Sequence, residues 1–343
     1  MSVVLVTGGA GYVGSHTVKA LAAAGYDVVV YDDLSNGHAE AIERLAGAHP
    51  ARAITLVRGD ILDGPVMEAA LRRSGATAVL HFAARLLVGE SVREPLAYYR
   101  TNVTGTLTVL DAMRQTGTSR FILSSTAATF GEPLRTPIDE DHPQQPVNAY
   151  GETKLAAERA LPHVERAYGI RWTALRYFNA AGADPDGLIG EDHHPEEHLI
   201  PRALAAIQGG PSLSIFGEDY PTPDGTCVRD YVHVTDLADA HVAALRRLEA
   251  GEPSRAYNLG NGMGMSVREV IDAAGRAAGR GVPCTVAARR PGDPARLVAS
   301  SRRANEELGW RPRLGDLQMI VDTAWRWHSN WPQGYATRTE ARR

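Results

Sequence analysis

Short apolar runs separated by amphipathic stretches fill the first half of the chain, a pattern that predicts repeated βαβ units around a parallel sheet. Val3–Thr7 and segments 27–31, 78–82, 120–124 and 172–176, short and mostly apolar, read as buried strands. A further strand over 56–61 carries Asp60 at its end. Apolar residues at three- and four-residue spacing predict helices over 15–24, 97–115 and 151–168. Beyond Asn179 the texture changes. Ala183-Asp184-Pro185-Asp186-Gly187 and Tyr220-Pro221-Thr222-Pro223-Asp224-Gly225 are loop chemistry, expected to cover the sheet's carboxyl edge. The expected fold is α/β: a Rossmann-type doubly wound parallel sheet over 1–179, followed over 180–343 by a smaller C-terminal α/β substrate-binding domain, with some later segments free to return to the first. Trp310, Trp325, Trp327 and Trp331 read as the packing of a terminal helix.

At 343 residues the chain suits two domains of roughly 100–200 residues. Its 36 basic and 40 acidic residues leave a net charge of −4, which argues against a nucleic acid held by bulk electrostatics. No apolar run reaches the roughly 18 residues of a membrane span, and Met1-Ser2-Val3-Val4 opens without a basic leader. Cys227 and Cys284 form no CxxC pair, so neither a disulfide framework nor a zinc site is expected; no metal is expected at all, and a cytoplasmic protein is. Composition sharpens one point. Lys19 and Lys154 are the only lysines beside 34 arginines, so a retained lysine runs against the chain's habit. Lys19 is expected to be merely solvated.

The chemistry begins at Gly8-Gly9-Ala10-Gly11-Tyr12-Val13-Gly14, between a strand and a helix. It satisfies G-x-G-x-x-G at Gly9, Gly11 and Gly14, and the looser form from Gly8. Glycines let the backbone turn sharply and approach a pyrophosphate, while the helix start offers free N–H groups. Asp32, 18 residues past Gly14, is placed to accept from ribose hydroxyls and to repel a 2′-phosphate, which favours NAD over NADP. Asp60 is a candidate for the adenine amine. Tyr150 and Lys154 form a Y-x-x-x-K pair on one helix face. A free phenol, with a pKa near ~10, is a poor base at neutral pH; a nearby ammonium and a nicotinamide cation favour its phenolate. Thr126, at a strand's carboxyl end, is placed to hydrogen-bond the oxygen that exchanges the proton.

These residues carry a resemblance. The stretch 8–14, Tyr31-Asp32-Asp33-Leu34-Ser35-Asn36, His81-Phe82-Ala83-Ala84, Val88-Gly89-Glu90-Ser91, Tyr150-Gly151-Glu152-Thr153-Lys154 and Arg176-Tyr177-Phe178-Asn179 resemble the UDP-galactose 4-epimerases of the extended short-chain dehydrogenase/reductase superfamily. So do Gly190-Glu191-Asp192, Val228-Arg229-Asp230-Tyr231, Tyr257-Asn258-Leu259-Gly260 and Arg289-Arg290-Pro291-Gly292-Asp293, and the similarity runs from Val3 to Gly334. It implies a bound NAD and a transient 4-keto sugar, with Tyr150 taking the C4 hydroxyl proton. By the same match Tyr12, Val13, Asn36, Asp60, Ile61, Phe82, Asn102 and Phe178 line the cofactor. Asn179, His198, Leu199, Phe216, Arg229, Arg290 and Asp293 hold the UDP-sugar. Leu297 falls beside the sugar's C2 substituent, where its bulk favours UDP-glucose and UDP-galactose over N-acetylated counterparts. A diphosphate needs local guanidinium forks, which suits Arg229 and Arg290, although either also reads as a surface ion pair. Phe216 reads as a uracil stacker or as core.

Two positions depart from the family. Thr126 replaces a frequent serine and keeps the hydroxyl. Leu86 replaces a cofactor-contacting lysine, so that contact is absent or taken by Arg85. Among rivals, a 4,6-dehydratase would need an Asp-Glu pair after Thr126, where the chain reads Ala127-Ala128-Thr129. A non-catalytic dinucleotide sensor has no need of the intact Tyr150 and Lys154. An epimerase that also accepts UDP-N-acetylhexosamines stays open. Helices 97–115 and 151–168 are candidates for a homodimer interface.

Overall fold

The structure is a computed structural model that describes residues 2–290 and 293–335. Pro291 and Gly292 of the Arg-Arg-Pro-Gly-Asp stretch, and the last eight residues of the expected second domain, lie outside the described residues. Along the first half run β1 (Val3–Thr7), α1 (Tyr12–Ala23), β2 (Asp27–Asp32), α2 (Ala39–Ala48), β3 (Ile54–Arg58), α3 (Gly64–Ser74), β4 (Ala78–His81), α4 (Val88–Arg93), α5 (Pro95–Tyr98), α6 (Thr106–Thr116), β5 (Arg120–Thr126), α7 (Ala149–Tyr168) and β6 (Arg171–Tyr177). The second half continues with β7 (Asn179–Ala181), α8 (Leu199–Ile207), β8 (Leu213–Phe216), β9 (Val228–Arg229), β10 (Tyr231–His233), α9 (Val234–Glu249), β11 (Arg255–Leu259), β12 (Met265–Ser266), α10 (Val267–Ala278), β13 (Cys284–Ala287), β14 (Arg296–Leu297), α11 (Arg302–Glu307) and α12 (Leu317–Asn330).

Seven parallel strands form the main sheet in the order β11-β6-β5-β4-β1-β2-β3. The order reverses between β1 and β4, and the crevice beyond the carboxyl ends there is where ligands of such sheets lie. Both faces are covered. Val4, Val6, Val28 and Leu80 pack with α1 and with Leu237 and Leu245 of α9, while Leu5, Val79, Phe121 and Leu123 face Met67, Leu110 and Leu161. This two-sided burial explains why the strands are continuously apolar. The seventh strand, β11, pairs with β6, and α9 packs against α1, so residues 234–259 share the first sheet although they follow residue 179. The remaining segments gather around Ile200, Leu204, Tyr231, Val270 and Val321.

Three details differ from expectation. The segment 97–115 is not a uniform α-helix: residues Tyr99–Gly105 between α5 and α6 form a π-helical stretch around Asn102. β3 ends at Arg58, and Asp60 lies in the exposed turn beyond it, its Oδ1 accepting from the Leu62 N–H at 2.9 Å. Lys19 is not a free solvated residue. Its Nζ lies 2.6 Å from Asp184 Oδ1 and 2.6 Å from Asp186 Oδ2, tying α1 to the loop after β7. Trp327 and Trp310 are buried as expected of terminal packing, and Trp331 carries the Arg44 guanidinium 3.7 Å above its ring.

Candidate active site

β1 ends at the glycine loop because a strand cannot turn into α1 within four residues unless Cβ atoms are missing. A Cβ on Gly8, whose φ is +68°, would meet the Ala83 nitrogen at 2.4 Å, and one on Gly14 would meet the Gly8 carbonyl oxygen at 2.2 Å. Gly11 differs: its Cβ position has only the Gly8 oxygen nearby, at 3.4 Å, so this face of the loop is open. No side chain caps the first turn of α1, which leaves its leading N–H groups for a ligand. At the end of β2, the Asp32 carboxylate accepts from the Ala10 N–H and the Leu34 N–H, each at 2.9 Å. Burial pushes Asp32 up to about 6, against the pull of those two amides. An open glycine cradle, an uncapped helix start and a buried carboxylate 18 residues on fit a dinucleotide. Around this crevice lie buried Tyr12 and Ile61, half-buried Val13, Phe82 and Phe178, and exposed Asn36. The Tyr12 hydroxyl donates to the Gly182 carbonyl at 2.6 Å, and Phe82 packs on the His241 ring at 4.7 Å.

β5 delivers Thr126 to the same carboxyl edge, and α7 begins nearby with Asn148 as its cap, Oδ1 accepting from the Gly151 N–H at 2.9 Å. Tyr150 therefore sits in the first turn, with Lys154 one turn on. Burial raises the Tyr150 phenol, and the Thr126 hydroxyl draws it back. In the protein without its cofactor burial dominates the phenol, and the Lys154 Nζ donates to the Ser124 carbonyl at 2.9 Å. Burial brings Lys154 down to about 8, partly offset by Glu158. Beneath them His81 is held neutral, pushed down to about 3 by burial, with ring nitrogens 2.7 Å from Thr7 Oγ1 and 2.9 Å from Thr106 Oγ1.

Two supports escaped the sequence reading. Glu158, one turn beyond Lys154, pairs with Arg176 of β6 through Nη2–Oε2 at 2.6 Å and Nε–Oε1 at 3.0 Å, and it also accepts from the Ser125 hydroxyl. That buried pair clamps α7 to β5 and β6. In the π-helical stretch, the Asn102 amide donates to Thr153 Oγ1 and to the Arg85 carbonyl, and its oxygen accepts from the Arg85 N–H at 2.8 Å. The extra residue per turn turns Asn102 inward. The Arg85 guanidinium is committed elsewhere, at 3.1 Å from Glu90.

Beyond the sheet edge, a cavity of about 220 Å³ opens between α8, β8 and β9. Asn179, His198, Leu199, Phe216, Arg229, Arg290 and Asp293 all line it. Arg290 stacks 3.9 Å above the Phe216 ring, and Arg229 is ion-paired with Asp293. The Asn179 amide donates to the Asp230 carbonyl at 2.9 Å. Burial alone would lower His198, but the facing Glu191 and Glu196 carboxylates raise it well above its ordinary value. Thr126 belongs to the Tyr150 group instead. Leu297 does not line this cavity; it lies half-buried on β14, in register with Arg229 of β9. Asp230 organises the rim. Its carboxylate collects the N–H groups of Asn261, Gly262 and Ala299 at 2.6 to 3.0 Å, a convergence the Val-Arg-Asp-Tyr motif could have flagged.

Comparison with known proteins gives one consistent answer. Residues 4–260 match the "NAD dependent epimerase/dehydratase family". The UDP-glucose 4-epimerase of Lacticaseibacillus casei is 48% identical over 336 residues, covering 98% of this chain and 99% of its own length. The crystal structure of the Brucella ovis UDP-glucose 4-epimerase in complex with NAD superposes with a TM-score of 0.90 at 50% identity, covering 95% of this chain and 98% of that one. The Bifidobacterium longum UDP-glucose 4-epimerase, in complex with NAD+ and UDP, gives a TM-score of 0.92 at 38% identity, with 97% and 100% covered.

Proposed function

The chain belongs to the NAD dependent epimerase/dehydratase family, and from that premise we propose how its own residues interconvert UDP-galactose and UDP-glucose. The reaction is an isomerisation at sugar C4: oxidation to a 4-keto sugar, rotation, and re-reduction on the opposite face. NAD, when bound, supplies the hydride acceptor that later returns the same hydride. Gly8, Gly11 and Gly14 with the start of α1 take the pyrophosphate, Asp32 the adenosine ribose, and Asp60 and Ile61 the adenine side. Tyr12, Val13, Asn36, Phe82, Asn102 and Phe178 complete the cofactor walls, and Lys154 reaches the nicotinamide ribose while holding the phenol's oxygen in a positive field.

Tyr150, as phenolate, accepts the C4 hydroxyl proton and gives it back when the ketone is reduced. Thr126 hydrogen-bonds the same oxygen and keeps it aimed at the phenol. The sugar turns over while its nucleotide stays fixed, so the diphosphate and uracil need their own anchors. Arg229 and Arg290 supply the charge, Phe216 a flat face for the base, and Asn179, His198, Leu199 and Asp293 the remaining walls. Leu297 limits room at the C2 substituent. The observation that carries this reading is that Tyr150 meets Thr126, and Lys154 the Ser124 carbonyl, at the carboxyl end of β5, in the same sheet whose β1 ends in the open glycine cradle. Purified protein given UDP-galactose should form UDP-glucose with no added reductant, and deuterium at C4 should stay on the sugar. Loss of that label to solvent would refute the mechanism.

The division of labour also follows this reading: residues 1–179, with 234–259 added to their sheet, hold the dinucleotide, and most of the rest holds the UDP-sugar. The chain works as a cytoplasmic homodimer. Two free cysteines support the first part. Exposed Leu96, Tyr99, Leu107 and Tyr168 on the α5–α7 side support the second. A monomeric mass by light scattering would overturn the dimer.

A further inference from the structure

The loop from β7 to α8 reads Glu191-Asp192-His193-His194-Pro195-Glu196-Glu197-His198, and three of the chain's twelve histidines fall within six positions of it. Glu191, His193, Glu196 and His198 each bring one donor atom into a group whose members all lie within 4.8 Å of one another. His193 Nδ1 is 3.3 Å from Glu191 Oε1 and 3.6 Å from Glu196 Oε2. His198 Nδ1 is 2.7 Å from Glu191 Oε1 and 3.2 Å from Glu196 Oε1. A tetrahedral zinc ion with bonds of about 2.0–2.1 Å spaces its ligand atoms about 3.3 Å apart, close to these separations.

A second observation is independent of the spacing. Glu191 Oε1 and His193 Nδ1 are buried, with side chains 5% and 8% exposed, yet neither makes a hydrogen bond of acceptable geometry. The atoms are near enough to bond but are not aligned for it, and all four donor atoms share one space less than 4.8 Å across. A plain ion-pair cluster would align donor with acceptor, because a buried polar atom left unsatisfied is costly. We propose that Glu191, His193, Glu196 and His198 bind one divalent cation of the zinc type.

The donor set selects the ion class. Two imidazole nitrogens and two carboxylate oxygens suit zinc or cobalt, whereas magnesium demands six oxygens in an octahedron. The want of a CxxC pair, which pointed away from zinc, does not bear on an imidazole–carboxylate site. The ligands are also held in advance. The Tyr12 ring meets His193 edge-on at 6.0 Å, the Trp327 indole donates to the Glu191 carbonyl at 3.2 Å, and Asp192 accepts from the Tyr335 N–H at 2.8 Å. His198 stands at the cavity wall and gives the ion its way in.

The test uses full-length, tag-free protein stripped with chelator and titrated with cobalt(II), then with zinc. One cobalt per chain is expected, with the intense visible absorption of four-coordinate cobalt, and one equivalent of zinc should displace it. His193→Ala and Glu196→Gln should each weaken uptake more than ~100-fold, since even the outer partners of metal ligands are worth ~10–100-fold. Circular dichroism melting checks that each variant is folded; if His193→Ala fails to fold, Glu196→Gln decides alone. No stoichiometric uptake by the parent protein, or uptake unchanged in the folded variants, would overturn the site.

Discussion

A phenol raised by burial is a reluctant base, so Tyr150 needs a positive field to serve as one, and Lys154 is the ammonium buried one turn away. Tyr150→Phe removes the proposed proton acceptor but little of the packing. It should leave folding and NAD content intact and cut turnover by ~10²–10⁴-fold, the usual worth of a general base; steady-state kinetics with UDP-galactose decide. In the proposed mechanism Leu297 bears on selectivity rather than rate. Crowding an acetamide in a packed site costs on the order of 1–3 kcal/mol, so the unmutated protein should prefer the simple UDP-hexoses by about 10–200-fold. Leu297→Gly should relax that preference, and equal kcat/KM for both substrate classes in the parent would remove Leu297 from the role. Its position outside the nearby cavity, in register with arginine 229, makes this the sharpest residue-level test.

Elements place these residues only if they are locked to one another, and the lock between α7 and β6 is the Glu158–Arg176 pair. Removing one partner of a buried ion pair costs about 3–5 kcal/mol, mainly by stranding the other charge, whereas an apolar replacement of both can be nearly neutral. Glu158→Leu should therefore lower stability by that amount in urea unfolding, and adding Arg176→Met should recover much of it. Equal stability of the parent and Glu158→Leu would leave the clamp without energetic content. This pair also marks what a single sequence conceals. Strands β1, β2, β4 and β5 were legible because each holds an unbroken run of three or more apolar residues, and the glycine loop and Tyr150–Lys154 because local spacing defines them. Glu158 looked like any polar helix position, and Lys19 like any surface lysine, since their partners lie 18 and 165 residues away. β11 was hidden for the same reason: Arg255–Leu259 is short, and only its long-range neighbour β6 reveals which sheet it joins.

At the scale of the whole molecule, a set of buried histidines is held neutral, His328 among them. Burial holds His16 and His241 at about 4 and His81 and His233 at about 3. Below the unfolded value near 6.5 the unfolded chain binds protons that the folded chain refuses, so stability falls as the pH drops towards 4. Each group contributes a slope of up to ~1.4 kcal/mol per pH unit in that window. Asp32, Glu140, Asp230 and Asp236 oppose them, because their raised values make the folded state the better proton binder above about 4, but only Asp32 is carried as far as about 6, so the imidazoles dominate the upper part of the window. The urea midpoint should thus drop clearly between pH 6.5 and 4.5, and a flat profile would mean the imidazoles accept protons inside the fold.

The placement of β11 at the sheet edge sets a timetable for synthesis. Its partner β6 is complete at Tyr177, but β11 begins only at Arg255, almost 80 residues later. At ribosomal speeds of about 5–20 residues per second, the outer edge of β6 waits about 4–16 s for its neighbour. An uncovered strand edge invites pairing with other chains, so this interval is when the nascent protein is most open to aggregation and to capture by chaperones. Ribosome-bound chains halted near residue 230 should be cut readily by protease within the first sheet, whereas chains halted once β11 has cleared the exit tunnel should resist. The vulnerability ends when Leu259 pairs beside Tyr177, long before the last residue is added.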